Sequence, residues 1–362
     1  MTDQPGILSE RRNTRQIYVG SVPIGGDAPI AVQSMTNTPT EDVAATVAQI
    51  KRLEKAGCEI IRVAVPTRKA ADAITAIRDA VSIPVIADIH FDYRLAIAAA
   101  EAGANGLRIN PGNIGSHDKI KVVVDCAKQH GIAIRVGVNA GSLEKDLIAA
   151  YNGVTAQGLA ESGLRNIALL ESLGFDAIKL SIKASDVPKT LLAHRLLADR
   201  TDVPLHIGIT EAGTLIPGVV KSGIGLGMLL AGGIGDTLRV SLTRDPVDEV
   251  RVAYEILKTL GIRRFGPEIV SCPTCGRCRI DLVRIAEAVE AQLTGCRLPI
   301  KVAIMGCVVN GPGEARDADI GIAGGNNQGI LFEKGKIVEK IPQSQLVDVL
   351  IRKIKKMETA LS

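Results

Sequence analysis

The stretch EDVAATVAQIKRLEKAG, residues 41–57, is followed almost at once by EIIRVAV, residues 59–65. The first stretch repeats apolar residues at a helical spacing, which predicts an amphipathic helix, and Gly57 stands where a C-cap glycine would end it. The second is a short run of mostly branched apolar residues, which predicts a buried strand. A helix joined to a strand in this way is the repeating unit of an α/β fold.

The same pattern extends outward in both directions along the chain. Helical stretches separate further apolar runs, so strands and helices alternate, which indicates a parallel sheet. Eight such units in roughly 240 residues predict a (β/α)8 TIM barrel. A doubly wound sheet is the alternative, but no G-x-G-x-x-G motif follows the first strand. The other seven apolar runs lie at 29–35, 84–90, 106–110, 133–139, 176–182, 204–210 and 237–242.

The pattern changes on both sides of the predicted barrel. Residues 16–26 predict a short N-terminal hairpin. After a break at 260–268, a cysteine turn, helical stretches and short strands follow in mixed order, which predicts a small α+β domain. We therefore expect a TIM-barrel substrate-binding domain, with its hairpin, at 1–262 and a second domain at 263–362.

Composition narrows the class of protein. The chain has 362 residues, 46% of them hydrophobic, and a formal net charge of +4. This small charge and an aromatic content of 2% argue against nucleic-acid binding. No apolar run is long enough to span a membrane, and the first 15 residues contain no apolar signal segment. Seven cysteines, an odd number, argue against a disulfide framework, so we expect a cytoplasmic protein without membrane or nucleic-acid partners.

Polar side chains stand near the carboxyl ends of the predicted barrel strands, where TIM barrels build their active sites. Several are cations, which an apolar interior cannot hold unpaired, although nearby carboxylates could neutralise individual ones. Arginine can bind phosphate with two parallel hydrogen bonds, so the pattern predicts a diphosphate or polyphosphate ligand. The candidate contacts are Arg62, Asp88, His90, Arg108, Arg135, Asn139, Lys179, Ser181, His206, Arg239 and Ser241.

A cysteine motif opens the second predicted domain. It reads SCPTCGRC at 271–278, and a further cysteine follows in MGCVVNGPGE at 305–314. A close cysteine pair with one distant cysteine in a Gly/Pro-rich turn is typical of an iron–sulfur cluster or a structural zinc. Zinc normally takes two pairs or a Cys/His set, and no histidine follows His206. The run from Cys272 to Cys278 is also similar to a ferredoxin run, but the Cys-Pro that ends such a run is missing.

Several long motifs in one order resemble those of the bacterial 4-hydroxy-3-methylbut-2-enyl diphosphate synthases, and the resemblance covers nearly the whole chain. In the predicted barrel the motifs are QSMTN, ADIH, LRINPGN, RVGVNAGS, KLSIKAS and RVSLTRDP, and after it SCPTCGR and MGCVVNGPGE. The resemblance implies a TIM barrel followed by an iron–sulfur domain like that of sulfite and nitrite reductases.

The resemblance also implies an activity in the non-mevalonate isoprenoid pathway. The enzyme would reductively open and dehydrate 2-C-methyl-D-erythritol 2,4-cyclodiphosphate to (E)-4-hydroxy-3-methylbut-2-enyl diphosphate. Two electrons would come from reduced flavodoxin or ferredoxin. By its matching motifs, the resemblance implies that the [4Fe–4S] ligands are Cys272, Cys275, Cys307 and Glu314. It implies diphosphate contacts at Arg62, Arg108, Arg135, Lys179 and the strand of Arg239 and Ser241.

Glu314 is in addition a candidate catalytic acid. A carboxylate oxygen is a harder and more labile iron ligand than a thiolate, so substrate could displace it, and the protonated acid could serve the departing hydroxyl. Cys278 stands where the family has another residue type and is not expected to be a ligand, and Cys296 lies outside the matched motifs.

The path of the chain predicts an active site built from two copies. In a (β/α)8 barrel the helix after strand eight, about 246–260, ends at the face opposite the phosphate-binding residues. A linker at 261–268 spans at most about 26–29 Å when fully extended, so a partner's barrel is easier to reach than the chain's own. The resemblance likewise implies a homodimer whose two chains, arranged head to tail, share both sites.

Two other functions remain as alternatives. A pterin-type condensing barrel also binds diphosphate groups, but it needs no cluster and leaves the second domain without a role. An iron–sulfur or zinc domain could instead act as an electron carrier or a protein-binding module, but this leaves the cations of the barrel without a role.

Overall fold

The computed structural model describes residues 8–307, 313 and 315–361 and divides into two compact units. Among these residues, the first unit contains ten strands. The boundary between the first unit and the second lies between Arg263 and Arg264. The strands of the first unit are β1 (Ile17–Val19), β2 (Val22–Ile24), β3 (Ala31–Met35), β4 (Ile60–Ala64), β5 (Val85–Asp88), β6 (Gly106–Ile109), β7 (Ala133–Asn139), β8 (Ile178–Lys183), β9 (His206–Ile207) and β10 (Thr237–Leu238).

Eight of these strands form a closed parallel barrel. The hydrogen-bonded order is β8-β7-β6-β5-β4-β3-β10-β9. A parallel bridge between Leu180 and Leu205 joins the two ends, and the Leu180 N–H donates to the Pro204 carbonyl at 2.9 Å. The (β/α)8 prediction is therefore confirmed, and the doubly wound alternative is wrong. Seven of the eight predicted apolar runs contain a barrel strand, and the run at 176–182 covers all of β8 except its last residue, Lys183.

Helices surround the barrel and alternate with its strands. Most begin after a side-chain cap: Asp42, for example, accepts the Ala45 N–H at 3.0 Å, which satisfies a donor that the first turn leaves free. The helices are α1 (Val43–Lys55), α2 (Arg68–Asp72), α3 (Ile74–Asp79), α4 (Tyr93–Glu101), α5 (Pro111–Ile114), α6 (His117–His130), α7 (Lys145–Ala150), α8 (Ala156–Ser172), α9 (Val187–Ala198), α10 (Leu215–Ala231) and α11 (Pro246–Thr259).

The N-terminal hairpin closes the bottom of the barrel, where the strands begin. Strands β1 and β2 pair antiparallel, as predicted, and Ile17 and Val19 pack against Ile60 and Ile86. Gly20 has a φ of +55° in the tight turn and lies against the ring of Pro84, just before β5. This end is filled largely with apolar side chains, although Asp236 is also buried there and pairs with Arg11.

The second unit is a five-stranded mixed sheet with two main helices. One apolar core lies on the helix face of the sheet and a smaller one on the other face. The strand order is β11-β12-β13-β14-β15, with β11, β12 and β13 parallel and the last two pairings antiparallel. The elements are β11 (Glu268–Ser271), α12 (Leu282–Gln292), β12 (Lys301–Met305), β13 (Ile320–Gly324), β14 (Gln328–Glu333), β15 (Lys336–Pro342) and α13 (Leu346–Leu361).

The second unit confirms the predicted α+β class, although the sequence did not predict β11. Its four residues, EIVS, are half-buried or exposed, so they lack the apolar run that marks the barrel strands. The predicted likeness to sulfite and nitrite reductase domains stays a prediction. Across the described residues, no helix combines the length and apolar character that a membrane span needs.

Candidate active site

A row of charged side chains crosses the barrel interior at one level. Asp88, Arg108, Arg135 and Lys179 are register partners on the neighbouring strands β5, β6, β7 and β8. Register partners in a parallel sheet project to the same face, and all four are at most 7% exposed. The structure therefore brings together four residues that lie up to 91 positions apart in the sequence.

Two carboxylates balance part of this charge. Asp88 lies 3.5 Å from Arg62 Nε and 3.3 Å from Arg108 Nη1. Glu249, on α11, accepts from Arg239 Nε and Nη2 at 3.2 Å each. Within the described part of the chain, no salt bridge reaches Arg135 or Lys179, so positive charge exceeds negative charge in this interior.

Several of these cations lack hydrogen-bond partners. Buried nitrogens with none among the described residues include Nε and Nη1 of Arg135, Nζ of Lys179 and Nε of Arg108. Burial lowers the pKa of Lys179 to about 7 and that of Arg62 to about 10, because a charged group loses its hydration there. Unpaired donors of this kind at the open half of a TIM barrel form a site for an anion with several oxygen acceptors.

Two glycines make room for the long cations. A Cβ atom on Gly137 would lie 2.6 Å from Nε and 2.7 Å from Nη2 of Arg108, so the guanidinium crosses β7 where no side chain stands. A Cβ on Gly208 would lie 3.3 Å from Nζ of Lys183 and 2.6 Å from the Arg239 carbonyl oxygen. The orientations of Arg108 and Lys183 therefore depend on the absence of side chains on neighbouring strands.

The remaining predicted contacts lie at different depths. Asn139 on β7 and Ser181 on β8 lie further toward the carboxyl ends of their strands than the charged row. The Ser181 hydroxyl lies 3.4 Å from the Val136 carbonyl oxygen. Ser241 is half-buried in the segment after β10. His90 is exposed after β5, with its ring centroid 6.2 Å from that of Phe91.

His206 lies deeper than the prediction placed it. It begins β9 rather than ending it, and its Nδ1 lies 2.8 Å from the Thr237 hydroxyl. Burial, and then the charge of Lys183, holds the pKa of its imidazole well below the usual value. Its contact with substrate stays a prediction.

The sequence reasoning missed three residues of this interior. Lys183 ends β8, is 8% exposed, and has a pKa that burial holds well below its usual value. The sequence could have indicated Lys183, because alternate residues of a strand face the same side and Lys183 follows Lys179 and Ser181 at that spacing. Gln33 on β3 is buried, and neither its amide nitrogen nor its oxygen has a partner among the described residues. Glu249 carried no signal, because it belongs to a helix outside the sheet.

The predicted cysteine ligands follow two neighbouring strands of the second unit. Cys272 directly follows the end of β11, and one residue separates Cys307 from the end of β12. Because these two strands pair in parallel, both thiols lie at the same edge of the sheet. The Gly306 N–H donates to Cys272 Sγ at 3.2 Å. Cys275 is exposed in the same loop, and the Arg277 N–H, followed by the Arg277 side chain, lowers the pKa of its thiol.

These residues fit a group that takes soft anionic ligands. Thiols on two adjacent loops at one sheet edge, one of them with a lowered pKa, are the donor set of an iron–sulfur cluster. Among the described side chains no three of His, Cys, Asp or Glu already stand close enough to hold a metal ion. Glu314, the predicted fourth ligand, lies outside the described residues. Cys278 donates from Sγ to the Ile280 carbonyl at 3.2 Å.

Comparison with known proteins identifies relatives along both units. The model of the GcpE TIM-barrel domain matches residues 14–254, and that of the GcpE protein C-terminal domain matches residues 268–356. A Geobacter sulfurreducens protein named 4-hydroxy-3-methylbut-2-en-1-yl diphosphate synthase (flavodoxin) is 59% identical, over 96% of this chain and 98% of its own length. A Desulfotalea psychrophila protein of the same name is 59% identical over 97% of each chain.

A solved structure resembles the barrel alone. The dihydropteroate synthase of Yersinia pestis has a TM-score of 0.50 and 14% identity, over 68% of this chain and 98% of its own. At so low an identity the likeness shows a common fold and nothing more.

Replacement of Gly137 by alanine should weaken anion binding through Arg108. The new methyl group would displace the guanidinium from its place across β7. A displacement of about 1 Å can cost roughly 10²-fold in a positioned site, so we expect the affinity for a cyclic diphosphate to fall by about that factor. Calorimetric titration would measure the dissociation constant, and thermal unfolding would show that the variant is folded.

A double-mutant cycle separates this effect from general damage. Arg108→Ala alone should weaken binding by about 2–5 kcal/mol, and Gly137→Ala should add little in that background. The matched control is Gly223→Ala on α10, where a Cβ atom meets nothing within 4 Å. Additive losses in the double variant would show that Gly137 acts independently of Arg108.

Proposed function

Because the chain belongs to the GcpE family, we propose that it reductively opens and dehydrates 2-C-methyl-D-erythritol 2,4-cyclodiphosphate to (E)-4-hydroxy-3-methylbut-2-enyl diphosphate. The reaction breaks a C–O bond to phosphate, releases one hydroxyl as water, and consumes two electrons and a proton. The observation that carries the proposal is the row of buried cations with unused hydrogen-bond donors, which suits a ligand with two linked phosphates.

The barrel residues bind and orient the diphosphate. The partnerless nitrogens of Arg108 and Arg135 supply donors to phosphate oxygens, while Asp88 holds Arg108 and Arg62 in place. Lys179 has a pKa of about 7, so an anion beside its Nζ would raise that pKa, and the amine would take up a proton as substrate binds. Substrate binding is thereby coupled to protonation of the Lys179 amine.

The cysteine edge would hold the electron-transfer group. Cys272, Cys275, Cys307 and Glu314 are the residues we propose as ligands of a [4Fe–4S] cluster, which supplies electrons singly to the substrate when bound. Glu314 would hold the cluster through a carboxylate oxygen, and in its protonated form it would supply the proton that the departing hydroxyl needs. The names of the relatives specify flavodoxin, so we propose flavodoxin as the electron donor.

The two alternative functions explain fewer features. A pterin-type condensing barrel would share the fold, but it gives no role to the second unit, over which the C-terminal family model also matches. An electron carrier or binding module gives no role to the buried cations at the open end of the barrel.

We further propose that the working enzyme is a homodimer whose head-to-tail chains share both active sites. Arg263, the last residue of the first unit, donates to the Ile30 carbonyl at 2.6 Å and pairs with Glu59 at 2.8 Å. Both partners immediately precede barrel strands, so the chain leaves the barrel at the bottom, opposite the strand ends. Five Cα steps from Arg263 to Glu268 cover at most about 18 Å, which favours a cluster supplied by a partner.

Turnover is the direct test of the proposed reaction. Protein reconstituted with iron and sulfide without oxygen should convert the cyclic diphosphate to the open-chain product when reduced flavodoxin is supplied. Glu314→Gln keeps the side-chain shape but cannot carry the proton, so the loaded variant should retain its visible absorption and lose turnover. Wild-type rates in that variant would exclude the acid role, and no product from the loaded wild type would refute the reaction.

Cluster ligation predicts different results for neighbouring cysteines. Cys272→Ser, Cys275→Ser and Cys307→Ser should each lose bound iron and visible colour, because a hydroxyl is a poor replacement for a thiolate. Cys278→Ser is the matched control in the same loop, and it should keep both, since its thiol donates to a backbone carbonyl. Iron analysis and absorption spectra measure the outcome. Loss of iron from the Cys278 variant alone would show that the ligand set is wrong.

Subunit mixing tests the shared site. Arg108→Ala protein, assayed at a substrate concentration at which it alone should show no turnover, is mixed with Cys307→Ser protein under conditions that exchange subunits. Random pairing makes half of the dimers mixed, and each mixed dimer has one intact site, so about a quarter of wild-type activity should return. Differently tagged chains and native mass spectrometry confirm that mixed dimers formed. Mixed dimers without activity would mean that each chain completes its own site.

A further inference from the structure

Exposed positive charge surrounds the cysteine loop of the second unit. Arg277, Arg279 and Arg284 are all exposed, and Val283 beside them is 54% exposed. Asp281 is the one acidic residue between 272 and 286. Its carboxylate accepts the Arg284 backbone N–H at 3.3 Å as the N-cap of α12, so it serves the helix end.

The loop is fixed to the edge that carries the proposed ligands. The Arg279 N–H donates to the Gly306 carbonyl at 3.0 Å, immediately before Cys307. The Cys278 N–H donates to the Cys275 carbonyl at 3.0 Å and closes the turn. These bonds hold the arginine-bearing segment beside the thiols, so anything that binds these arginines lies next to the electron-transfer group.

The described residues of the unit provide no ion-pair partner for the arginines at this edge. Among the described residues, no carboxylate oxygen lies within 4.0 Å of the guanidinium nitrogens of Arg277, Arg279 or Arg284, whereas Lys301 pairs with Glu268 and Lys353 with Glu333. The loop and the first turn of α12 therefore present arginines without ion-pair partners among the described residues, together with one exposed apolar residue, Val283. Such a surface suits brief, electrostatically steered encounters rather than permanent assembly.

A second basic cluster of the unit lies away from the thiols. Lys355 and Lys356 are exposed near the end of α13. Glu358, in the same turn, accepts the Arg297 N–H at 3.2 Å, and residue 297 precedes the start of β12. Because Cys307 follows the end of β12, the two basic clusters lie at opposite ends of the strand, and only the arginine cluster borders the thiols.

We propose that loop 272–281 and the first turn of α12 form the docking surface for an acidic, flavin-carrying electron donor. Arg277, Arg279 and Arg284 attract its acidic rim, and Val283 makes the apolar contact. The inference rests on the proposed function, since a donor is needed only if electrons enter here. A donor that must deliver electrons singly has to bind and leave repeatedly, which charge attraction at an exposed edge permits.

The test compares two double charge reversals with the same change of formal charge. Arg279→Glu/Arg284→Glu alters the proposed surface and leaves Arg277, which contacts the Cys275 thiol, unchanged. Lys355→Glu/Lys356→Glu is the matched control. Oxidised flavodoxin is titrated onto each cluster-loaded protein at several salt concentrations. The surface variant should bind about tenfold or more weakly at low salt, with a flatter salt dependence, and the control should bind as the wild type does.

Turnover with two reductants separates this proposal from the proposed reaction. With photoreduced deazaflavin, a small donor that needs no docking surface, the surface variant should match the wild type, whereas with flavodoxin it should be slower. Unchanged flavodoxin affinity in the surface variant, or an equal loss in the control, would overturn the docking proposal. Failure of the wild type with deazaflavin would instead count against the reaction. If the surface variant loses iron, Arg284→Glu alone, in the first turn of α12, decides by the same binding titration.

Discussion

Buried positive charge is the constraint on which the barrel interior depends. Arg108, Arg135 and Lys179 lie at one level of the barrel interior, where burial removes most of the hydration of each charge. Asp88 and Glu249 offset part of the cost and hold three of the arginines in fixed orientations. The cost that remains must be offset by the apolar packing elsewhere in the barrel.

Both units place their candidate site residues toward the carboxyl ends of parallel strands. In the barrel, apolar side chains fill most of the bottom, and the row of Asp88, Arg108, Arg135 and Lys179 lies beyond them. In the second unit, β11 and β12 run parallel and bring Cys272 and Cys307 to one edge. The physical reason is common to both: a parallel strand must be followed by a return path through a helix, so the segments after neighbouring strands meet at the same edge.

Small residues determine how the large ones are used. Arg108 and Lys183 could adopt many orientations, since both have long flexible side chains. Gly137 and Gly208 leave the space into which those side chains extend, and a methyl group at either position would occupy it. The sulfur of Met35 lies 3.0 Å from Arg62 Nη2 and 3.6 Å from Arg239 Nη1, so a soft neutral atom separates two cations. Neighbours that carry no charge therefore set part of the geometry of this site, beside the carboxylates that pair with its arginines.

The sequence alone determined the alternation of strands and helices, the barrel class and the identity of most charged residues, because local periodicity encodes which side of a strand a residue faces. The same periodicity could have reached Lys183. It could not give the depth of His206, the reach of Glu249 from α11, or β11, whose half-exposed residues lack a buried pattern. Depth and pairing depend on the register between strands that are distant in sequence, such as Arg135 opposite Lys179. Only the closed sheet fixes that register, because it forms when all eight strands pack around one interior.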